Sequence, residues 1–174
     1  MSEQGFAVWL TGLPASGKSS ITRELVKQLQ ARGVTAVVLE SDAMRKVLTP
    51  EPSYSGEERD RFYRALASIG EVITRSGTNV IFDATANRRE YRDRARRLIN
   101  KFIEVYVACP LEVCAKRDPK GLYARAALKK TTTMPGLQAA YEPPLKPDLT
   151  LDGQAPPETG AVLVLDKLKQ LLYI

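Results

Sequence analysis

Gly12-Leu13-Pro14-Ala15-Ser16-Gly17-Lys18-Ser19 has the form G-x-x-x-x-G-K-S. It follows an apolar run, Phe6 to Leu10, and precedes a helical pattern at Ile21, Leu25 and Leu29. That strand-loop-helix setting is what a phosphate-binding loop requires, and a Gly/Ser turn that fits by accident would need neither flank. Gly12 and Gly17 permit backbone conformations closed to other residues, so successive N–H groups can turn inward onto phosphate oxygens, with the positive end of the next helix behind them. Lys18, read as a solvated loop charge, then reaches the terminal phosphates. Ser19, followed by Ser20, presents a hydroxyl to Mg²⁺. The stretch predicts binding of a nucleoside triphosphate with Mg²⁺.

Outward from the loop, the pattern predicts a helix from Lys18 to about Arg32, closed by Gly33. A strand follows at Thr35 to Leu39, whose unbroken β-branched run suggests a parallel strand covered on both faces. It carries Glu40, Ser41, Asp42 and Arg45 to the edge where ligands bind in open α/β sheets. Asp42 is there either a carboxylate beside the phosphate loop or the N-cap of a short helix. Ser55-Gly56-Glu57-Glu58 forms a capping box, and Phe62, Leu66, Ile69 and Ile73 keep helical spacing to about Ser76. Arg59, Arg61 and Arg64 fall on other faces, as a solvated surface or as anion ligands. Asn79 to Phe82 is a third strand ending in Asp83, which either caps the next segment or serves Mg²⁺.

From Asn87 to Lys101 the chain is dense in arginine, and Tyr91, Ala95, Leu98 and Phe102 form a stripe at a period of 3.6, predicting an amphipathic helix on the sheet. Only Tyr91 interleaves those charges as an aromatic, so nucleic acid is not the expected partner. Ile103 to Ala108 is a fourth strand, and Leu111 to Lys116 a short helix. From about 118 to 147, glycine, proline and lysine replace sustained periodicity, which suggests a mobile lid. Leu149 to Leu151 is a final edge strand. Glu158 to Leu172 is a closing helix with Val162, Leu165 and Leu168 inward. The sum is α/β, a doubly wound, mainly parallel sheet of about five strands.

The chain's 174 residues, 44% of them hydrophobic, suit one domain spanning the whole sequence that needs neither metal nor disulfide for stability. Cys109 and Cys114 fit no zinc or disulfide pattern, and reduced, partly buried thiols in a cytoplasmic protein are expected. No long apolar run or leader is present, so no membrane partner is expected. The net charge of +6 favours anionic partners, and the absence of histidine leaves proton abstraction to a carboxylate, a lysine or a tyrosine. Oligomeric state is not fixed by the sequence, and a homodimer is compatible with it.

Three stretches resemble the adenylylsulfate (APS) kinase family: WLTGLPASGKSS at 9–20, CPLEVCAKRDPKGLYARA at 109–126, and YEPPLKPDLTLDG at 141–153. The resemblance implies a phosphate-loop nucleotide kinase that uses MgATP to phosphorylate the ribose 3′-hydroxyl of adenylylsulfate, a step of sulfate assimilation yielding 3′-phosphoadenylylsulfate and ADP. By the same resemblance Asp42 orients or deprotonates that hydroxyl. Arg45, Arg59, Arg64 and Arg89 surround the substrate, as does Leu137, while Arg117 and Lys120 lie on the ATP side of the lid. The chain departs from the family at Glu40 and Ser41 for an Asp-Gly pair, at Ala86 and Asn87 for a Ser-Pro pair, at Asp83, and at Met134-Pro135-Gly136-Leu137 for an aromatic-led stretch. These departures lie on the acceptor side. The alternatives are a kinase of the same fold acting on another nucleotide-like or simple alcohol, a non-enzymatic nucleotide-binding module, and a nucleic-acid binder.

Overall fold

Strand β1 (Ala7–Thr11) is the centre of a five-stranded sheet in a computed structural model that describes residues 4–128 and 133–174. The chain continues through α1 (Lys18–Gln30), β2 (Ala36–Glu40), α2 (Ser41–Leu48), α3 (Gly56–Arg75), β3 (Asn79–Asp83) and α4 (Arg89–Leu98). It then runs through β4 (Phe102–Ala108), α5 (Leu111–Arg117), α6 (Leu122–Ala127), β5 (Leu149–Asp152) and α7 (Pro157–Gln170). The order β2-β3-β1-β4-β5 is parallel throughout. The chain fills one side of β1 before crossing to the other, so the loops after β1 and β3 open together at the sheet's carboxyl edge.

Alternation along β1 divides the core. Phe6, Val8 and Leu10 face a layer with Ile21, Leu25 and Leu29 of α1 and Val164, Leu165 and Leu168 of α7. Ala7 and Trp9 face the opposite layer, with Phe62 and Leu66 of α3 and Tyr91 and Ala95 of α4. Trp9 stacks on Phe82 with ring centroids 4.4 Å apart and donates its indole N–H to the Ala84 carbonyl at 3.1 Å. Gly70 is what lets α3 lie on that ring, because a Cβ there would fall 2.2 Å from Phe82.

Several expectations need correction. β2 is an edge strand bonded only to β3, and Val37 and Val38 are 40% and 38% exposed rather than covered on both faces. α4 stops at Leu98, since Ile99 is already extended (φ −115°, ψ 115°). Phe102 is therefore buried as the first residue of β4, and the apolar stripe runs across a turn. In α7 the buried face is Ala161, Val164, Leu165 and Leu168, while Val162 is 45% exposed. Small residues set that rotation: a Cβ on Gly160 would sit 3.2 Å from Ile21, so the helix approaches through its narrow side.

The segment from 118 to 147 is less irregular than its composition suggests. It contains α6, whose Tyr123 and Ala126 form a small cluster with Cys114 and Met134, against Leu13 and Ala15 of the phosphate loop. Its later part is tied to the body, with Asn87 Nδ2 donating to the Ala140 carbonyl at 2.9 Å and Glu142 N–H to the Asn87 carbonyl at 2.8 Å. Residues 129–132 of the expected lid lie outside the described residues. No helix among the described residues is long and apolar enough to cross a membrane.

Candidate active site

The loop after β1 is shaped by contacts no side chain could share. Gly12 has φ +153°, and a Cβ on it would lie 2.5 Å from the Val107 carbonyl oxygen and 2.8 Å from Ser16 Oγ. Gly17, at φ +109°, begins α1. Ser16 is buried, and its hydroxyl has no hydrogen-bond partner among the described residues, which leaves a donor inside the cradle for an anion. Lys18 is not the solvated charge expected from the sequence. It is 7% exposed, and Nζ donates to the Gly12 carbonyl at 3.0 Å and the Leu13 carbonyl at 2.8 Å. Burial pulls its pKa down to about 8, against the opposing pull of Asp83 and Asp42. A lysine so desolvated gains most from a phosphate that restores its preference for the charged form.

A cleft of about 650 Å³ opens over this loop, and Lys18, Ser19, Asp42, Asp83, Arg117 and Lys120 all line it, as do Pro14, Ala15, Gly17 and Ser20. Arg117, from the last turn of α5, donates to the Gly153 carbonyl at 2.7 Å and so bridges the loops after β4 and β5. Asp42 lies in the first turn of α2, and its carboxylate pairs with Lys120. Glu40 lies 3.7 Å from the same ammonium. Of the two readings of Asp42, the cap is the one the geometry does not support: α2 already begins at Ser41, and the side chain turns into the cleft. Lys120 is pushed above its ordinary pKa, chiefly by the Asp42 hydrogen bond.

The oxygen donors here suit a hard cation. Ser19 is exposed at the start of α1, Asp83 closes β3, and among the described residues no group of three or more His, Cys, Asp or Glu is placed to hold a metal unaided. Such a set fits Mg²⁺, which keeps several waters and takes substrate phosphate oxygens as ligands.

A second cleft, about 480 Å³, is lined by Tyr54, Arg59, Asn87, Tyr91, Thr133 and Glu142 among others, Asn87 following the Asp83 and Thr85 that line the first. Arg59 is almost wholly buried, and burial lowers its pKa, with the like charge of Arg45 adding to it and Tyr63, Tyr91 and Glu58 opposing it. Arg45 does not line either cleft. It pairs with Glu58 and lies over the Phe62 ring, 4.0 Å from its centroid, one layer behind Tyr54. Arg64 extends to Asp60 at 2.8 Å on the surface of α3. Arg89 donates from Nε to the Pro143 carbonyl at 2.7 Å. Leu137 is half exposed in the turn after Met134, and like Arg64 and Arg89 it lines neither cleft. Met134 is buried against Cys114 and Tyr123, away from the second cleft.

The sequence reading missed Tyr54. Glu58 is the acidic member of the capping box, and Ser55 Oγ does accept the Glu58 N–H at 3.1 Å. The return contact goes one residue further, to the Tyr54 N–H at 2.6 Å, and Tyr54 sits at φ +55° with its ring on the cleft. A tyrosine directly before a capping box was the available signal. Three arginines of the amphipathic helix α4 have carboxylate partners: Arg92, Arg94 and Arg96 pair with Glu104, Asp60 and Asp148 respectively.

A family model described as adenylylsulphate kinase matches residues 4–152. A probable adenylyl-sulfate kinase of Pyrococcus abyssi is 37% identical over 172 residues, 98% of this chain and 99% of its own. An adenylyl-sulfate kinase of Microcystis aeruginosa is 38% identical over 175 residues, covering all of this chain and 97% of its own. Among solved structures, the Mycobacterium tuberculosis APS kinase in complex with AMPPNP and APS superposes with a TM-score of 0.91 at 34% identity, over 95% of this chain and 98% of that one. A gluconokinase from Sinorhizobium meliloti, at 22% identity and a TM-score of 0.66, shares the fold.

Proposed function

The chain belongs to the adenylylsulfate kinase family, and on that premise we propose that it transfers the terminal phosphoryl group of ATP to the ribose 3′-hydroxyl of adenylylsulfate. The observation that carries this reading is the pair of clefts served by one stretch of chain, Asp83 and Thr85 lining the first and Asn87 the second. One is built on the phosphate loop, and the other holds a buried arginine and an aromatic face. Phosphoryl transfer asks a protein mainly for position and charge neutralisation. Lys18 and the loop amides hold the triphosphate, with Arg117 beside them in the same cleft, bonded to the Gly153 carbonyl. Ser19 and Asp83 would hold Mg²⁺, which supplies charge neutralisation at the phosphates. Asp42 orients the acceptor hydroxyl and takes its proton as the new P–O bond forms and the bond to the departing ADP oxygen breaks. For this Asp42 must part from Lys120, which then has the phosphates as its partner.

In the second cleft, Arg59 offers a desolvated positive charge to the acceptor's anionic group and Tyr54 a face to its base. Arg45 supports Tyr54 by lying over its ring. Within the lid, α6 is the element proposed to move on closing, while Ala140 and Glu142 are anchored at Asn87. We also propose a cytoplasmic enzyme and a homodimer, for which the exposed Val37–Val38 edge offers apolar surface, with sedimentation equilibrium as the check. The deciding experiment is ATP consumption across a panel of acceptors: adenylylsulfate, related phosphorylated or sulfated nucleotides, and simple alcohols. Turnover with adenylylsulfate supports the proposal. Turnover with another compound alone removes it and leaves a kinase of the same fold with a different acceptor.

A further inference from the structure

Arg92 is the largest charged side chain wholly inside the molecule, at 1% exposure, and nothing in the reaction as described uses it. Its guanidinium joins three separate pieces of chain. Nε donates to Glu104 Oε1 on β4 at 2.6 Å, NH1 to the Ala86 carbonyl, and NH2 to the Glu142 carbonyl at 2.6 Å. Only the first of these is an ion pair. The other two reach the residue before Asn87 and Glu142 itself, and Asn87 and Glu142 both line the second cleft.

Those two pieces are held to each other as well. Asn87 Nδ2 donates to the Ala140 carbonyl, Glu142 N–H to the Asn87 carbonyl, and Arg89 N–H to Glu142 Oε2 at 2.8 Å. Ala86 sits at φ +42°, a conformation an alanine adopts only when its surroundings impose it. Its N–H is fixed by the Tyr63 hydroxyl at 3.0 Å and its carbonyl by Arg92. Tyr141, beside the same guanidinium, reaches Thr11 Oγ1 at 3.0 Å, and Thr11 in turn donates to the Thr85 carbonyl at 2.6 Å, where the phosphate loop begins. A buried ion pair contributes little net stability and can often be replaced by apolar residues at no loss. A planar fork with several donors in fixed directions does set the relative position of the groups it joins.

The geometry points to Arg92 as a positioning residue that fixes the Ala86–Asn87 and Ala140–Glu142 wall of the acceptor cleft, and thereby determines acceptor affinity. This rests on the second cleft being the acceptor site. Displacing a substrate by about 1 Å loses on the order of 10²-fold in rate even where the chemical groups are intact, so loosening that wall falls on the acceptor and not on the nucleotide.

The test is the paired replacement Arg92→Met with Glu104→Leu, which removes both charges and leaves neither buried alone, while Arg96 keeps Asp148. The expected result is a folded protein whose KM for adenylylsulfate rises at least about tenfold while its KM for ATP stays within about twofold. Amide exchange at Ala86 and Glu142 accelerates, while β1 and β3 keep their protection. Arg92→Lys, with one ammonium in place of a three-armed fork, falls between parent and double variant. Unchanged KM for the acceptor overturns the inference, and so does an equal rise in both KM values, which would show general loosening. If the parent does not phosphorylate adenylylsulfate, it is the functional reading that fails. Exchange confined to the two wall segments then supports the positioning role, and uniform or unchanged exchange refutes it.

Discussion

MgATP binding should take up a proton, and Lys18 is the reason. In the free protein burial brings this lysine to about 8 from its ordinary 10.5, whereas phosphate oxygens in place of the Gly12 and Leu13 carbonyls return it toward the ordinary value. The free enzyme therefore loses its charge on Lys18 through the window from about pH 7 to pH 9, the protonated fraction falling from about nine-tenths to about one-tenth. If the bound lysine stays charged throughout, affinity weakens about tenfold across that window, or about 1.4 kcal/mol. Uptake grows to about 0.5 proton per nucleotide at pH 8 and about 0.9 at pH 9. Titration calorimetry with AMPPNP and Mg²⁺ in buffers of different ionisation enthalpy reads both quantities. The stability of the nucleotide-free protein moves the other way. Because the folded pKa lies below the unfolded one, the unfolded chain binds more protons between about 8 and 10.5, and this group's contribution to stability improves as pH rises through that range. Constant affinity with no proton uptake, or uptake that persists in Lys18→Met, refutes the argument.

Asp42→Asn should lower turnover by about 10²-fold with little change in nucleotide affinity, because the carboxylate is assigned to the acceptor hydroxyl; weakened MgATP binding with normal turnover would place it on the metal instead. Tyr54→Ala should raise the KM for adenylylsulfate by about fivefold, the value of one aromatic face at about 1 kcal/mol, and leave that for ATP alone. Amides in α6 (Leu122–Ala127) should gain exchange protection when AMPPNP and acceptor bind together. Those at Glu142 and Asp148, already bonded to Asn87 and Glu104, should change little, and equal protection of α6 with and without ligands would speak against a lid.

What was legible in the sequence was whatever local spacing dictates. The phosphate loop, the five strands and the longer helices follow from glycine placement, apolar period and capping residues acting within a few positions of one another, whereas α6 did not show. What was not legible depended on contacts across the chain. Arg89 meets Pro143 and Arg92 meets Glu142 over separations of 54 and 50 residues, and no local pattern marks an arginine as bound for a distant carbonyl. The buried Lys18 was hidden for a similar reason, since its carbonyl partners are backbone groups that every residue carries.

The same distinction bears on the acceptor. Ala86, Asn87 and Met134 differ from the family pattern, and from the sequence they read as changes to the surface that meets the acceptor. The structure turns two of them inward. Ala86 is fully buried and bonded at both its N–H and its carbonyl, to Tyr63 and Arg92, and Met134 packs on Cys114. Asn87 lines the cleft, yet its amide holds Ala140. The aromatic face missing at Met134 has a counterpart at Tyr54, which lines the same cleft with Arg59, 5.9 Å from its ring centroid. Substitutions that rebuild how a wall is fastened, while an aromatic ring and a buried arginine still line the cleft, alter the support of a binding surface more than its chemistry. An acceptor with a planar base and an anionic group therefore remains the ligand proposed for this cleft.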